Sequence, residues 1–189
     1  MRLFIAINLP LDTKAYLQKV IQELKIQSAD KPIKWVNPRN LHLTLGFIKD
    51  LQPEKLEILK QTMESHLDFK QFKLKLEKLE VFTAQYYPKV IKISLTDEQE
   101  QLHPIKNAVN EIFKKLDLPI DQRRFSAHIT LGRIKKPIKK LELNIKIKPL
   151  KFTVKTIDLM LSTLTPEGPI YKTLMKVKIK KQEKQLAEN

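Results

Sequence analysis

The sequence predicts an α+β fold in two pseudo-symmetric lobes, each an antiparallel sheet with helices on its outer face, and an active-site cleft between the lobes. The first observation is a repeat: residues 41–47 read LHLTLGF and residues 127–133 read AHITLGR, so the pattern His, apolar, Thr, Leu, Gly occurs twice, 86 positions apart (128 minus 42). The second observation is that strand, helix and motif strand are predicted in the same order in both halves. An internal duplication explains both, with each half contributing one His to a shared site.

The first half of the chain contains three strand patterns and two helix patterns. Residues 2–9 are predicted as a strand, and residues 12–27 as a helix because apolar residues recur there at helical spacing. The first motif strand covers residues 41–49. A second helix is predicted from Pro53, since proline is favoured in the first turn of a helix, and residues 71–82 alternate as a strand.

The second half repeats this order and then adds two strands. A strand at 89–95 precedes an apolar helical stripe at 102–116, and the second motif strand follows. Pro104 lies inside the stripe, so the helix either begins near it or kinks there. Residues 149–163 and 171–180 are predicted as strands joined through the turn TPEGP. We expect one bilobal domain over residues 1–180, with the motifs at 42–45 and 128–131, and a disordered tail at 181–189.

Composition limits the chemistry that the chain can perform. Cysteine is absent, which excludes disulfides, thiolate nucleophiles and cysteine-based metal sites. No apolar run approaches the roughly 20 residues that span a bilayer, and the opening MRLFIAINLP resembles a strand rather than a signal peptide. We therefore expect a cytoplasmic protein with no membrane partner.

The formal net charge of +15 favours a polyanionic partner such as nucleic acid. Surfaces rich in Lys and Glu are also typical of proteins from high temperatures, so charge alone leaves both interpretations open. The five arginines are more informative, because four of them flank the two motif histidines. These four are Arg39, Arg123, Arg124 and Arg133, and Arg2 lies elsewhere. Arginine binds phosphate bidentately, although the first three could equally be solvated loop charges.

Each motif strand should present an imidazole and a hydroxyl on one face, because alternate side chains of a strand point the same way. His42 therefore pairs with Thr44, and His128 with Thr130. Two histidines without a neighbouring carboxylate favour general acid and base catalysis on a phosphodiester over a metal site, which remains the minor alternative. Strict alternation points Arg133 away from His128, so Arg133 reaches the phosphate only if Gly132 forms a bulge or ends the strand.

These residues resemble the two-histidine (2H) phosphoesterase superfamily, and specifically the RNA 2′,3′-cyclic phosphodiesterases, also called LigT-like or 2′-5′ RNA ligase proteins. The resemblance covers nearly the whole chain: the opening MRLFIAINLP, the motifs HLTLGFI and HITLGRI, and the closing segment LMLSTLTPEGPIY. The chain departs from the family pattern at Ala127, where proline is common, and at Lys89, near which arginine is expected.

The resemblance implies a reaction and a role for each motif residue. RNA 2′,3′-cyclic phosphate ends, with tRNA fragments among the candidate substrates, would be opened to 2′-phosphates, and a reversible 2′-5′ ligation is also implied. His42 would donate a proton to the leaving 3′-oxygen, and His128 would accept a proton from water. The residues Thr44, Thr130 and Arg133 would hold the phosphate. No cofactor or metal is expected, and the protein should be a monomer.

Aromatic residues are secondary candidates for RNA contacts. Trp35, Phe47, Tyr86 and Tyr87 could stack on a terminal base, although core packing is an equal explanation for the first two and a loop position for the tyrosines. A second function also stays open: a basic RNA-binding module of the same fold with little or no turnover. The presence of both motifs favours the enzyme.

Overall fold

The structure, a computed structural model, describes residues 1–181, which contain nine strands and three α-helices. The strands are β1 (Leu3–Asn8), β2 (Ile33–Trp35), β3 (His42–Ile48), β4 (Phe72–Ala84), β5 (Tyr87–Thr96), β6 (His128–Ile134), β7 (Lys151–Val154), β8 (Thr156–Thr165) and β9 (Gly168–Lys178). The helices are α1 (Leu11–Gln27), α2 (Leu56–His66) and α3 (Leu102–Lys115). None of these helices is both long and apolar enough to cross a membrane.

The strands form one sheet in the order β7-β4-β5-β6-β3-β1-β8-β9, and β2 pairs with β6 off this path. The motif strands β3 and β6 meet at a single residue pair, Leu43 with Ile129. This narrow seam divides the sheet into a first lobe (β3, β1, β8, β9) and a second lobe (β6, β5, β4, β7). All named strand pairs are antiparallel, which confirms the predicted α+β fold with two lobes.

The helices cover one face of the sheet and leave the other face to the site. Most apolar residues of the two motif strands, including Leu43 and Leu131, are buried in one core with the inner faces of all three helices, whereas Phe47 of β3 lies on the opposite face. Burial of that area from water is the main force that holds the sheet to the helices. The opposite face carries the polar motif residues, as the alternation of side chains requires.

The two lobes are not the two halves of the chain. Strand β4 comes from the first half but lies in the second lobe, and β8 and β9 come from the second half but lie in the first lobe. The pseudo-symmetry is nevertheless close at the centre of the sheet. Ile5 pairs with Gly46 in one lobe and Ile91 with Gly132 in the other, so both strands keep the offset of 86 (91 minus 5, 132 minus 46).

Both motif strands contain a β-bulge at the same place. Thr44 pairs with Ala6 while Gly46 pairs with Ile5, so one residue of β3 has no partner on β1. The same irregularity follows Thr130 in β6. A bulge reverses the side-chain parity beyond it. Arg133 therefore lies on the same face as His128. The bulge beside Gly132 is the irregularity that a phosphate-binding role of Arg133 required.

The motif glycines permit close packing behind the site. A Cβ atom on Gly46 would lie 2.7 Å from Cζ of Phe113 on α3, and one on Gly132 would lie 3.0 Å from Cε3 of Trp35 on β2. Any larger residue at Gly46 would push α3 away from the sheet, because Phe113 is a buried ring and not a flexible chain end.

Several element boundaries differ from the sequence prediction. The short strand β2 was not predicted, and the predicted strand 149–163 is two strands, because β7 pairs with β4 in the second lobe while β8 pairs with β1 in the first. Helix α3 begins at Leu102, so Pro104 lies in its first turn, where the missing N–H costs no hydrogen bond. The predicted tail at 181–189 lies, beyond Lys181, outside the described residues.

Candidate active site

The two motif histidines have the same orientation, set by the backbone just before each strand. Nδ1 of His42 lies 2.7 Å from the carbonyl oxygen of Asn40, and Nδ1 of His128 lies 2.7 Å from that of Ser126. A carbonyl only accepts, so each Nδ1 carries the proton and donates it. The Nε2 atom of each ring is therefore the nitrogen available to a ligand in the cleft.

A cavity of about 780 Å³ lies over the seam on the polar face of the sheet. Both histidines, Thr44, Thr130 and Arg133 line it, so the structure brings the five predicted site residues together. Its wall also includes aromatic, polar, cationic and hairpin residues: Arg2, Phe4, Lys34, Trp35, Asn40, Phe47, Lys135, Leu164, Glu167, Ile170 and Tyr171. The volume is in the range of small-molecule sites.

His42 lies in an aromatic enclosure. Its ring stacks on Phe4 with centroids 4.7 Å apart and meets the edge of Tyr171 at 5.5 Å. Burial lowers the pKa of His42 to about 4, and the positive charge of Lys14 also lowers it, while the hydrogen bond to the Asn40 carbonyl opposes the change. In the free protein His42 is therefore neutral at pH 7, and Nε2 accepts a hydrogen bond from the Thr44 hydroxyl at 3.0 Å.

His128 is also held in its neutral form. Burial lowers its pKa, the hydrogen bond to the carbonyl of Ser126 raises it, and the charge of Lys92 lowers it further. Lys92 is the residue of β5 paired with Thr130, and its ammonium group lies 3.3 Å from Glu80. A neutral imidazole with a free Nε2 can act as a base without further change.

A second lysine and carboxylate lie near His42. Asp158 is 1% exposed, and one of its oxygens accepts a hydrogen bond of 2.7 Å from Nδ2 of Asn8, the β1 residue paired with His42. Burial lowers the pKa of Lys14 and the charge of Asp158 opposes this. Neither Lys14 nor Lys92 was predicted, because only the tertiary structure brings them near the histidines.

The predicted RNA-contact residues separate into two groups. Phe47 and Trp35 line the cavity, whereas Arg39, Arg124, Tyr86 and Tyr87 are not among its lining residues. Arg123 is 87% exposed outside the cavity, and its Nε donates to Asp121 at 2.9 Å, so much of its charge is already compensated.

Arg2, which lies apart from the motifs in the sequence, also lines the cavity. Its guanidinium lies 4.7 Å from the ring centre of Phe47, in cation–π contact. Phe47 occupies in the first lobe the position that Arg133 occupies in the second. The sequence signal for Arg2 was weak, since it lies far from both motifs along the chain and reaches Phe47 only through the pairing of β1 with β3.

The β8–β9 hairpin closes one end of the cavity. The side-chain amide of Asn40 donates to the carbonyl oxygen of Pro169 at 2.8 Å, which fixes the hairpin beside the first motif strand. Within residues 1–181, no group of three His, Asp or Glu side chains has the arrangement that holds a metal ion.

The fold and the cleft define a class of protein: a duplicated phosphoesterase whose two His-x-Thr strands face a common cavity. The sequence model of the family described as LigT like phosphoesterase matches residues 7–91 and 93–171. The chain belongs to this family.

Curated relatives agree with this assignment over nearly their whole length. The RNA 2′,3′-cyclic phosphodiesterase of Methanocaldococcus jannaschii is 33% identical over 186 residues, covering 92% of this chain and 98% of that protein. The protein of the same name from Archaeoglobus fulgidus is 34% identical over 178 residues, with the same coverage.

Solved structures share the fold. The protein TT0787 of Thermus thermophilus superposes with a TM-score of 0.81 at 24% identity, covering 97% of this chain and 100% of that one. E. coli LigT complexed with 3′-AMP gives a TM-score of 0.76 at 20% identity, covering 94% of this chain and 97% of that one.

Proposed function

We propose that this protein hydrolyses RNA 2′,3′-cyclic phosphate ends to 2′-phosphates by acid and base catalysis between two histidines, without a metal ion. The observation that carries the proposal is the pair of Nδ1 hydrogen bonds that leaves Nε2 of His42 and of His128 available to one cavity. The names and coverage of the curated relatives support the substrate class.

The reaction assigns one proton transfer to each imidazole. His128 removes a proton from water, the oxygen attacks phosphorus, and the bond from phosphorus to the 3′-oxygen breaks. His42 protonates the departing 3′-oxygen, which leaves the phosphate on the 2′-oxygen. Thr44, Thr130 and Arg133 hold the non-bridging oxygens, where negative charge must be stabilised.

The negative charge of the substrate favours the protonated form of His42 that a proton donor requires. His42 has a pKa of about 4 in the free protein, which leaves too little imidazolium for a proton donor at neutral pH. A phosphodiester anion between the two rings favours the protonated form of His42 by direct attraction. Substrate binding therefore favours the donor form of His42.

The same pair of histidines can serve a reversible ligation. If the 5′-hydroxyl of a second RNA replaces water, attack on the cyclic phosphate yields a 2′-5′ linkage. The choice of tRNA fragments as substrate, the monomeric state and the cytoplasmic location remain predictions.

The direct test is incubation with a short RNA that ends in a 2′,3′-cyclic phosphate, in excess EDTA. We expect turnover to a 2′-phosphate, identified by comparison with synthetic standards of both isomers. Loss of activity in EDTA that returns with a divalent metal would contradict the mechanism, and tight binding without turnover would support the RNA-binding alternative.

The two histidine roles are separated by a substrate with sulfur in place of the bridging 3′-oxygen. A thiolate leaves without a proton, so His42→Ala should regain most of its activity on this substrate. His128→Ala should stay slow, because its water still lacks a base. Rescue of His128→Ala alone would reverse the assignment, and rescue of neither would indicate that the pair mainly positions the phosphate.

A further inference from the structure

An exposed aromatic side chain lies on the cleft face of the second lobe, outside the cavity. Phe82 of β4 is 51% exposed and pairs with Val90 of β5, which pairs in turn with Arg133 of β6. The three residues therefore form one row across the sheet. Phe82 lies two strands from Arg133, about 10 Å at the usual spacing of strands.

The turn next to Phe82 presents two more aromatic rings. Gln85 and Tyr86 have φ values of 49° and 67°, a left-handed conformation that costs energy for residues other than glycine. Tyr86 is 96% exposed and Tyr87 is 41% exposed, so core packing does not account for either ring. Two exposed tyrosines at this hairpin, neither explained by packing, point to a binding surface.

The charges around these rings suit an anionic partner. Glu80, the next residue of β4 on this face, is paired with Lys78 at 3.2 Å and with Lys92 at 3.3 Å, so its negative charge is compensated. Arg133 at the other end of the row is cationic. Exposed aromatic rings beside a positively charged groove are the usual surface for single-stranded nucleic acid.

Strand β4 is an edge strand at Phe82, because β7 pairs only with residues 72–75 of β4. Within residues 1–181, Phe82 therefore has a strand on one side only. A partner lying along the edge would contact Phe82, Tyr86 and Tyr87 together, and we refer to these three residues as the aromatic platform.

We propose that the aromatic platform binds the single-stranded RNA segment on the 5′ side of the terminal nucleotide, through stacking of its bases. This proposal rests on the proposed function, which places the RNA end at Arg133. The RNA strand must leave the cavity on its 5′ side, and the row from Arg133 through Val90 to Phe82 offers a continuous path. The platform then distinguishes RNA chains from small cyclic nucleotides.

The test compares two product-like probes that differ only in the upstream segment: a five-nucleotide RNA ending in a 2′-phosphate, and adenosine 2′-phosphate. Loss of one stacked base should weaken binding of the RNA roughly 5- to 100-fold in Phe82→Ala. Binding of adenosine 2′-phosphate should not change. Phe82→Tyr keeps an aromatic face and should bind RNA like the wild type, and a Tyr86→Ala, Tyr87→Ala double variant should show the same selective loss.

Ile58→Ala is the matched control, because Ile58 is an exposed apolar residue of α2 with 52% exposure on the other side of the sheet. It should leave both affinities unchanged. Equal weakening of both probes, or unchanged RNA binding in Phe82→Ala, would overturn the proposal. A change in the oligomeric state of Phe82→Ala without a change in its RNA affinity would also overturn the proposal, because it would assign the aromatic platform to contacts between copies of this chain. These affinities do not depend on turnover, so a failure of the proposed hydrolysis would show in the activity assay with EDTA and not in the binding measurements.

Discussion

Inorganic phosphate should convert His42 from a neutral imidazole into an imidazolium near neutral pH. In the free protein, burial against Phe4 and Tyr171 holds the pKa of His42 at about 4. An anion in the cavity adds an attraction that only the protonated ring experiences. The expected result is a rise in the pKa of His42 from about 4 toward neutral pH when the site is filled.

The magnitude follows from Coulomb's law. A unit negative charge about 4 Å from the ring, at an effective dielectric constant of about 20, stabilises the imidazolium by about 4 kcal/mol. Because about 1.36 kcal/mol corresponds to tenfold in a protonation equilibrium, this is a factor of about 1000. Displacement of water from the site reduces the effect, so the estimate is an upper value.

The assay is an NMR titration of the histidine Cε1 protons with and without saturating phosphate. His66 and His103 lie outside the cavity and serve as internal controls. The resonance of His42 is assigned with His42→Gln. An unchanged His42 curve at saturating phosphate would refute the reasoning, and so would an equal response of all four histidines.

Three further predictions concern stability and RNA binding. Gly46→Ala should lower the free energy of unfolding by about 1–3 kcal/mol in urea titrations, because the new methyl group lies too close to Phe113. As pH falls from about 6.5 toward 4, His42 binds a proton in the unfolded chain but not in the folded protein. Up to about 3 kcal/mol of the free energy of unfolding should therefore be lost. His42→Gln should lack this component in the same titrations. Arg2→Ala should reduce the salt dependence of RNA binding more than Arg123→Ala, because Arg123 is already paired with a carboxylate. Equal slopes of log affinity against log salt concentration in the two variants would refute this.

The sequence was sufficient for the features that depend on neighbouring residues. Alternation along a strand is local, so the His-x-Thr pattern by itself placed an imidazole and a hydroxyl on one face of each motif strand. The repeat spacing of 86 residues indicated the duplication, and the structure keeps that offset in the pairing of β1 with β3 and of β5 with β6. The helices were predicted for the same reason, since their apolar spacing is a local property.

The tertiary structure decided whatever depends on contacts between residues distant in the chain. The exchange of β4 and β8 between lobes, the position of Arg2 over Phe47, and the burial of His42 all arise from strand pairing. Strand pairing depends on the whole apolar surface that the chain must bury, so no single segment encodes it. The sequence therefore determined which groups could perform the chemistry, while the fold determined their charge state and the additional residues that surround them.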